Sequence, residues 1–269
     1  MPTLLTSNYK LEKTADSAYL VKGLSIAPHS LGNGRNVCPQ ATDACKAACV
    51  LWYTGRTVTP SVRNAMASRK ERFFQDRVQF YSDLAIEIDK FRKSAARKGR
   101  EFIPAIRLNV GSDIDHRRFI SDRHIIEQSD GLPAVQYYDY SKVYNRVLSQ
   151  LPGTLSLFDT PNYEITYSWS ERSKPRETAI LLDAKVNVAM VFDTEYNPRQ
   201  NRIGKLPLTV DIDGSTYPVV DGDKIDVRRS EVDGQGVVVG LRFKGSKAKK
   251  ADAIESGFVV ESVNGKAIA

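Results

Sequence analysis

From residue 102 to residue 193 the chain repeats one pattern, a short apolar run followed by a stretch with helical spacing. FIPAIRLNV (102–110) precedes DHRRFISDRHIIEQS (115–129), and PAVQYYDY (133–140) precedes SKVYNRVLSQL (141–151). NYEITYSWS (162–170) then leads to a short helix SKPRETAILLD (173–183), and NVAMVFD (187–193) closes the series. An earlier run, AYLVKGLSIA (18–27), supplies a fifth strand of the same kind. Strands alternating with helices at this spacing build βαβ units and a parallel sheet. The expected fold class is therefore α/β, as an incomplete or TIM-like (β/α) barrel with a β-rich C-terminal extension.

The segment from Pro60 to Lys98 predicts two helices, the second carrying Val78, Tyr81, Leu84, Ile88 and Phe91 on its apolar stripe. From Leu206 onward helices are expected to vanish, and 208–229 and 234–245 predict strands joined by Asp-Gly turns. The boundaries are 1–205 for the barrel-like part with the Cys loop and 206–269 for the β-rich segment packed on it. NPRQNRIGK (197–205) is the expected mobile loop.

Thirty-nine Lys and Arg face 32 Asp and Glu, a formal net charge of +7. That balance favours anionic partners, namely DNA, RNA or a nucleotide. No apolar run reaches the roughly eighteen residues of a membrane span, and MPTLLTSNYKLEK lacks the pattern of a secretion signal. The expectation is a cytoplasmic protein, with no membrane partner. Phosphate-loop, dinucleotide and nucleophile-elbow motifs are all missing, and three histidines leave little for a Ser–His–Asp hydrolase.

All three cysteines fall within twelve residues, as Cys38-x6-Cys45-x3-Cys49. An odd, tight set is a poor disulfide framework and a good ligand set. On a helix Cys45 and Cys49 share a face, with Cys38 arriving from the preceding loop. A four-iron cluster held by three thiolates keeps one iron open for a substrate or cofactor. Zinc is the alternative, with His29, Asp43, His116 or His124 as fourth ligand, or water in an open position. Packing of three small residues is the plain alternative. A loop directly after the first strand lies at the carboxyl end of the sheet, where α/β folds assemble their sites.

CPQATDACKAACVLWYTG (38–55) resembles the Cys-rich signature of phage proteins of the gene-product-88 type, and RLNVGSDIDH, YYDYSK, TYSWSE, NVAMVF and VVDGDKIDVR resemble their later blocks. Those families in turn look like relatives of the radical S-adenosylmethionine enzymes. That resemblance implies a [4Fe-4S] cluster on Cys38, Cys45 and Cys49, with S-adenosylmethionine on the open iron and a nucleic acid or nucleotide as substrate. The usual radical-enzyme spacing is C-x3-C-x2-C, whereas this loop is wider.

The other strand ends carry Gly111, Ser112 and Asp113, which suit the methionine ammonium of that cofactor or, alternatively, cap the helix after them. Asp139 beside Lys142 is an acid/base pair, a substrate anchor or a simple ion pair. Ser168, Ser170, Glu171 and Arg172, with Trp169 as a stacking face, bind ribose or carboxylate, or cap the next helix. Asp113, Asp139 and Lys142 are the catalytic candidates. Asp221-Gly222-Asp223 predicts a β-turn rather than a cation loop. The basic run Lys90, Arg92, Lys93, Arg97, Lys98, Arg100 is a solvated helix end or a phosphate track. Two further readings stay open. One is a zinc-containing base-exchange enzyme resembling deazaguanine transglycosylases, with Asp113 and Asp139 as nucleophile and base. The other is a zinc-stabilised, non-enzymatic nucleic-acid-binding protein.

Overall fold

A computed structural model describes residues 3–8, 11–12, 18–53, 59–99, 101–119, 131–151, 162–197, 202–263 and 265–269. The predicted strands appear as β2 (Tyr19–Leu24), β3 (Ile103–Arg107), β4 (Gln136–Ser141), β5 (Tyr163–Ser168) and β6 (Val188–Phe192), after a short β1 (Leu5–Thr6). Consecutive members of β2 to β6 pair in parallel. The same sheet continues through β11 (Val238–Arg242), β10 (Ser215–Asp221), β9 (Thr209–Ile212), β14 (Lys266–Ile268) and β13 (Ser262–Val263). A short β12 (Val259–Val260) also runs parallel to β6. The β-rich tail thus extends the main sheet. The strand order runs from β1 to β13 with no closing pair among the described residues, so the fold is α/β with a mostly parallel, open sheet.

Helices α1 (Asp43–Ala47) and α2 (Val50–Tyr53) lie in the cysteine loop and are followed by α3 (Pro60–Gln75) and α4 (Arg77–Lys98). Pro60 suits the first turn of α3, where its missing N–H costs nothing. The break between α3 and α4 falls at Asp76, whose extended backbone stops one helix and whose carboxylate accepts the Gln79 N–H of the next at 2.9 Å. Tyr81, Leu84, Ile88 and Phe91 are buried as the periodicity predicts, but Val78 is 84% exposed, since it lies in the first turn, off the stripe. Arg92 corrects the reading of a basic helix end: it is buried and donates to the Pro133 carbonyl at 3.0 Å, while Lys90, Lys93, Arg97 and Lys98 are exposed. Arg100 lies outside the described residues.

For the helix expected over 115–129, the described residues show one 3-10 turn at His116–Arg118, and 120–130 lie outside them. One more expectation needs correction. Helices do not vanish after 206, because the basic stretch at 244–250 runs into a nine-residue helix capped by the Ser246 hydroxyl. The loop at 197–205 is flanked by paired strands, β7 (Tyr196–Asn197) and β8 (Arg202–Ile203); 198–201 lie outside the described residues. Two helices follow the strands as predicted, α5 (Tyr144–Leu148) and α6 (Pro175–Asp183); after α7 (Ser230–Asp233), the nine-residue helix is α8 (Lys247–Glu255).

The sheet has two unlike faces. Ile106, Leu108, Tyr137, Ile165, Tyr167 and Met190 join the main apolar core with α4. On the opposite face Tyr19, Ala105 and Tyr138 meet Val227, and the segment 225–233, predicted in part as strand, packs irregularly across it. The closure there is ionic: Arg107 pairs with Asp226 at 3.1 Å, Tyr138 donates to the same carboxylate at 2.9 Å, and Arg229 pairs with Glu164 at 3.1 Å. Asp226→Ala would leave Arg107 buried without its partner, at a cost of about 3–5 kcal/mol. Urea unfolding should show a clearly lower midpoint for Asp226→Ala and an unchanged one for Lys174→Ala, whose ion pair with Glu177 lies on the surface. Equal midpoints for both would mean that this ion pair does not hold the second face closed.

Candidate functional site

The cysteine loop leaves the carboxyl end of β2 and crosses the edge formed by the ends of β3, β4 and β5. Thr42 caps α1 by accepting the Cys45 N–H at 3.1 Å. The helix ends at Ala47, so Cys45 lies in α1 and Cys49 between α1 and α2, and the expected single helix is interrupted. All three thiols are free and half-buried. The Cys38 thiol donates to the Gly111 carbonyl at 3.4 Å and accepts the His29 N–H at 3.3 Å.

Burial pushes the Cys38 thiol up to about 12, against the His29 N–H, and the charges of Asp113, Cys45 and Cys49 add to the rise. Burial also raises Cys45, where Lys142 opposes the shift and Glu171 and Asp113 reinforce it. Cys49 is raised by burial too, while hydrogen bonds from the Trp52 and Leu51 backbone favour its thiolate. The three sulfurs and the strand-end groups therefore share one electrostatic neighbourhood.

The turn after β3 supports this loop. Asn109 accepts from the Ser112 hydroxyl at 2.7 Å and the Ile114 N–H at 2.9 Å, and its amide donates to the Ile114 carbonyl at 2.9 Å. Asp139 holds Asn109 in turn, accepting its backbone N–H at 2.6 Å and its side-chain amide at 3.1 Å, with the Tyr163 hydroxyl as a third donor. At 2% exposure Asp139 faces these partners, not the open edge. Gly111 lets Leu51 of α2 press onto the turn, since a Cβ there would stand 1.8 Å from Leu51 Cδ2. Ser112 and Asp113 do not cap the 3-10 turn. The Asp113 carboxylate accepts from Ser141 Oγ at 2.8 Å, from the Lys142 N–H at 3.0 Å and from Arg146.

Lys142 Nζ donates to Ser168 Oγ at 2.8 Å and to the Trp169 carbonyl at 3.2 Å, and lies 5.5 Å from the Phe258 ring centre. Its ammonium has no carboxylate partner among the described residues. Ser170 is 4% exposed and closes a turn with Ser173 ahead of α6. Glu171 Oε2 and the Trp169 indole nitrogen are buried without a hydrogen-bond partner among the described residues. Arg172 is exposed and lowers the Asp43 carboxyl, after the larger effects of Lys46. The strand-end candidates thus meet the cysteine loop.

Among the described residues no three His, Cys, Asp or Glu side chains form a ready group around a single metal ion. His116 is fully buried, with Nδ1 2.9 Å from the Tyr81 hydroxyl, and Asp43 is paired with Lys46 on the surface. His124 lies outside the described residues. His29 stays beside Cys38, with Nε2 buried and unpartnered. The turn at 221–223 is held by Arg242 and Lys244, which neutralise both carboxylates, as a β-turn requires. No described helix is long and apolar enough to cross a membrane.

Sequence reasoning missed Asn109, Arg146 and Lys70. Only Lys70 left a signal: with Met66, Arg69 and Phe73 it falls on the buried stripe of α3, where a lysine is out of place.

An open, mostly parallel α/β sheet with three unpaired thiols at its carboxyl edge defines the class of protein. The chain belongs to the Gene product 88 family of phage proteins, whose model matches residues 2–261. No curated protein matches the chain, and neither does any solved structure.

Burial pushes the Asp139 carboxyl up to about 7, against the donors that favour its ionised form. A carboxyl raised in the folded state adds stability below its unfolded value, near 3.8, which is lost as pH rises through about 7. His116 works the other way: burial lowers it to about 3, so its contribution is present above 6.5 and lost as pH falls. Each slope is about 1.4 kcal/mol per pH unit, and the two oppose each other between about pH 4 and 6.5. Asp139→Asn removes only the first. Chemical unfolding from pH 4 to 7 should therefore show the variant gaining stability relative to wild type as pH rises. A difference that stays flat with pH would mean Asp139 is ionised throughout.

Proposed function

We propose that this chain is an iron–sulfur enzyme of the radical S-adenosylmethionine kind, in which Cys38, Cys45 and Cys49 hold a [4Fe-4S] cluster and the substrate is a nucleotide or nucleic acid. The observation that carries the reading is the donor set: three free, half-buried thiols within electrostatic reach of one another at the carboxyl edge of a parallel sheet. Backbone donors on the sulfurs of Cys38 and Cys49 fit thiolate ligands, since hydrogen bonds to sulfur stabilise the anion. An open sheet of this order also suits the incomplete barrel that the reading calls for.

When bound, the cluster would supply an iron without a thiolate, where S-adenosylmethionine docks, and the electron for its reductive cleavage. The chain's own residues do the positioning. Asp113, tied to Ser141 and Arg146, keeps a carboxylate beside Cys38 and Cys45. The unpartnered Glu171 Oε2 is an acceptor left for a ligand's ammonium or N–H. Lys142, with only neutral partners among the described residues, presents positive charge to a carboxylate or phosphate. Lys46 and Lys249 add to the cationic character around the thiols, which supports an anionic substrate. Asp139 serves as a positioning residue through Asn109.

A second reading, a zinc site with His29 as fourth ligand in a nucleic-acid-binding protein, has the unpartnered Nε2 of His29 in its favour. Metal and acid-labile sulfide analysis of oxygen-free protein separates the two. The expected result is about four irons and four sulfides per chain with a visible band that dithionite bleaches, and loss of most iron in each of Cys38→Ser, Cys45→Ser and Cys49→Ser. S-adenosylmethionine cleavage should follow the iron content. One zinc and no sulfide would sink the cluster reading in favour of the zinc one.

A further inference from the structure

Residues 243–258 leave the sheet at the end of β11 and return to it at β12, and both of those strands pair in parallel with β6. Between these two fixed points the chain crosses the cysteine loop as α8. Ala48, which lies between Cys45 and Cys49, packs in a small apolar cluster with Phe243, Ala253 and Val259, joined at its margin by Ile254 and Phe258. Lys249 Nζ donates to the Ala47 carbonyl at the end of α1 at 3.0 Å, and Lys250 Nζ donates to the Asp193 carbonyl. Past the helix, the Phe258 ring centre lies 5.5 Å from Lys142 Nζ, and a Cβ on Gly257 would stand 3.8 Å from Glu171 Cβ. One short segment therefore covers the thiol loop and the strand-end ammonium together.

This cover is lightly held. Ala253 is the only buried residue of the nine in α8, and no residue of the helix joins the main apolar core. Lys247, Ala248, Ala251, Asp252 and Glu255 are exposed. A glycine flanks the helix on each side, Gly245 before it and Gly257 after it, and Gly257 takes the left-handed φ of +79° that ends the helix. A segment with so little buried apolar surface opens at a lower free energy than the strands that anchor it.

We propose that residues 244–258 form a lid over the carboxyl edge of the sheet, opening about Gly245 and Gly257 while β11 and β12 stay paired, and giving a ligand access to the thiol loop and Lys142. The lid covers the site of the reading above but acts with or without a metal there, so its failure would leave that reading standing.

Hydrogen exchange in low urea, read by mass spectrometry, compares α8 with β6. Amides of 247–255 should exchange about a hundredfold faster than those of 188–192 and with little dependence on urea, as local opening requires. Equal rates with equal urea dependence would overturn the proposal, because α8 would then open only when the sheet unfolds. Alkylation of Cys49 by iodoacetamide shows whether opening uncovers the thiols. Gly257→Ala strains the left-handed turn, and Ala253→Gly weakens the helix and its apolar contact; neither alters a charge beside the sulfurs. Alkylation should be about tenfold faster in Gly257→Ala and about fivefold faster in Ala253→Gly, and unchanged in Lys174→Ala. Faster exchange in α8 with unchanged alkylation would overturn the proposal, since the helix would then fray without exposing the site. Should a bound metal block alkylation, its release to EDTA is timed in the same proteins: faster release in the two lid variants supports the lid, and equal release overturns it.

Discussion

Asp139 is a buried carboxyl group with no ion pair among the described residues, and the turn after β3 is organised around it. It sits in the middle of β4 and takes donors from Asn109, just after β3, and from Tyr163, the first residue of β5, joining three neighbouring strands. Through Asn109 it sets the turn to Ile114. That turn presents the Gly111 carbonyl to Cys38, the Asp113 N–H to the Val37 carbonyl and the Asp113 carboxylate to Lys142 and Arg146. These bonds are buried or partly buried, so the loop's position is set by groups that do not exchange partners cheaply.

Charge is distributed over the molecule by the same logic. The second face of the sheet uses matched ions, Arg107 with Asp226 and Arg229 with Glu164. The carboxyl edge does the opposite. Among the described residues, Lys142 and Lys70 have only neutral oxygens around their nitrogens, Glu171 Oε2 and His29 Nε2 lack partners, and three thiols are held neutral by burial.

How far the candidate site could be read from the chain varied with the kind of interaction. Cys38, Cys45, Cys49, Asp113 and Lys142 were found because strand ends follow from the periodicity and reactive side chains stand out by type. Asn109 and Arg146 were not, because each acts through a partner thirty or more residues away: Asn109 through Asp139, and Arg146 through Asp113. Asp139 was found but given the wrong surroundings, since alternation assigns a face and says nothing about what covers it.

The sequence by itself determined the five parallel strands, the two long helices between Pro60 and Lys98 and the clustering of thiols after the first strand. These follow from local periodicity, capping and spacing, which act within a few residues. Only the tertiary structure decided that the tail extends the main sheet, that 225–233 closes its second face through ion pairs, and that Lys70 lies behind the cysteine loop. Those outcomes depend on contacts between residues such as Arg107 and Asp226, 119 positions apart, which no local pattern encodes.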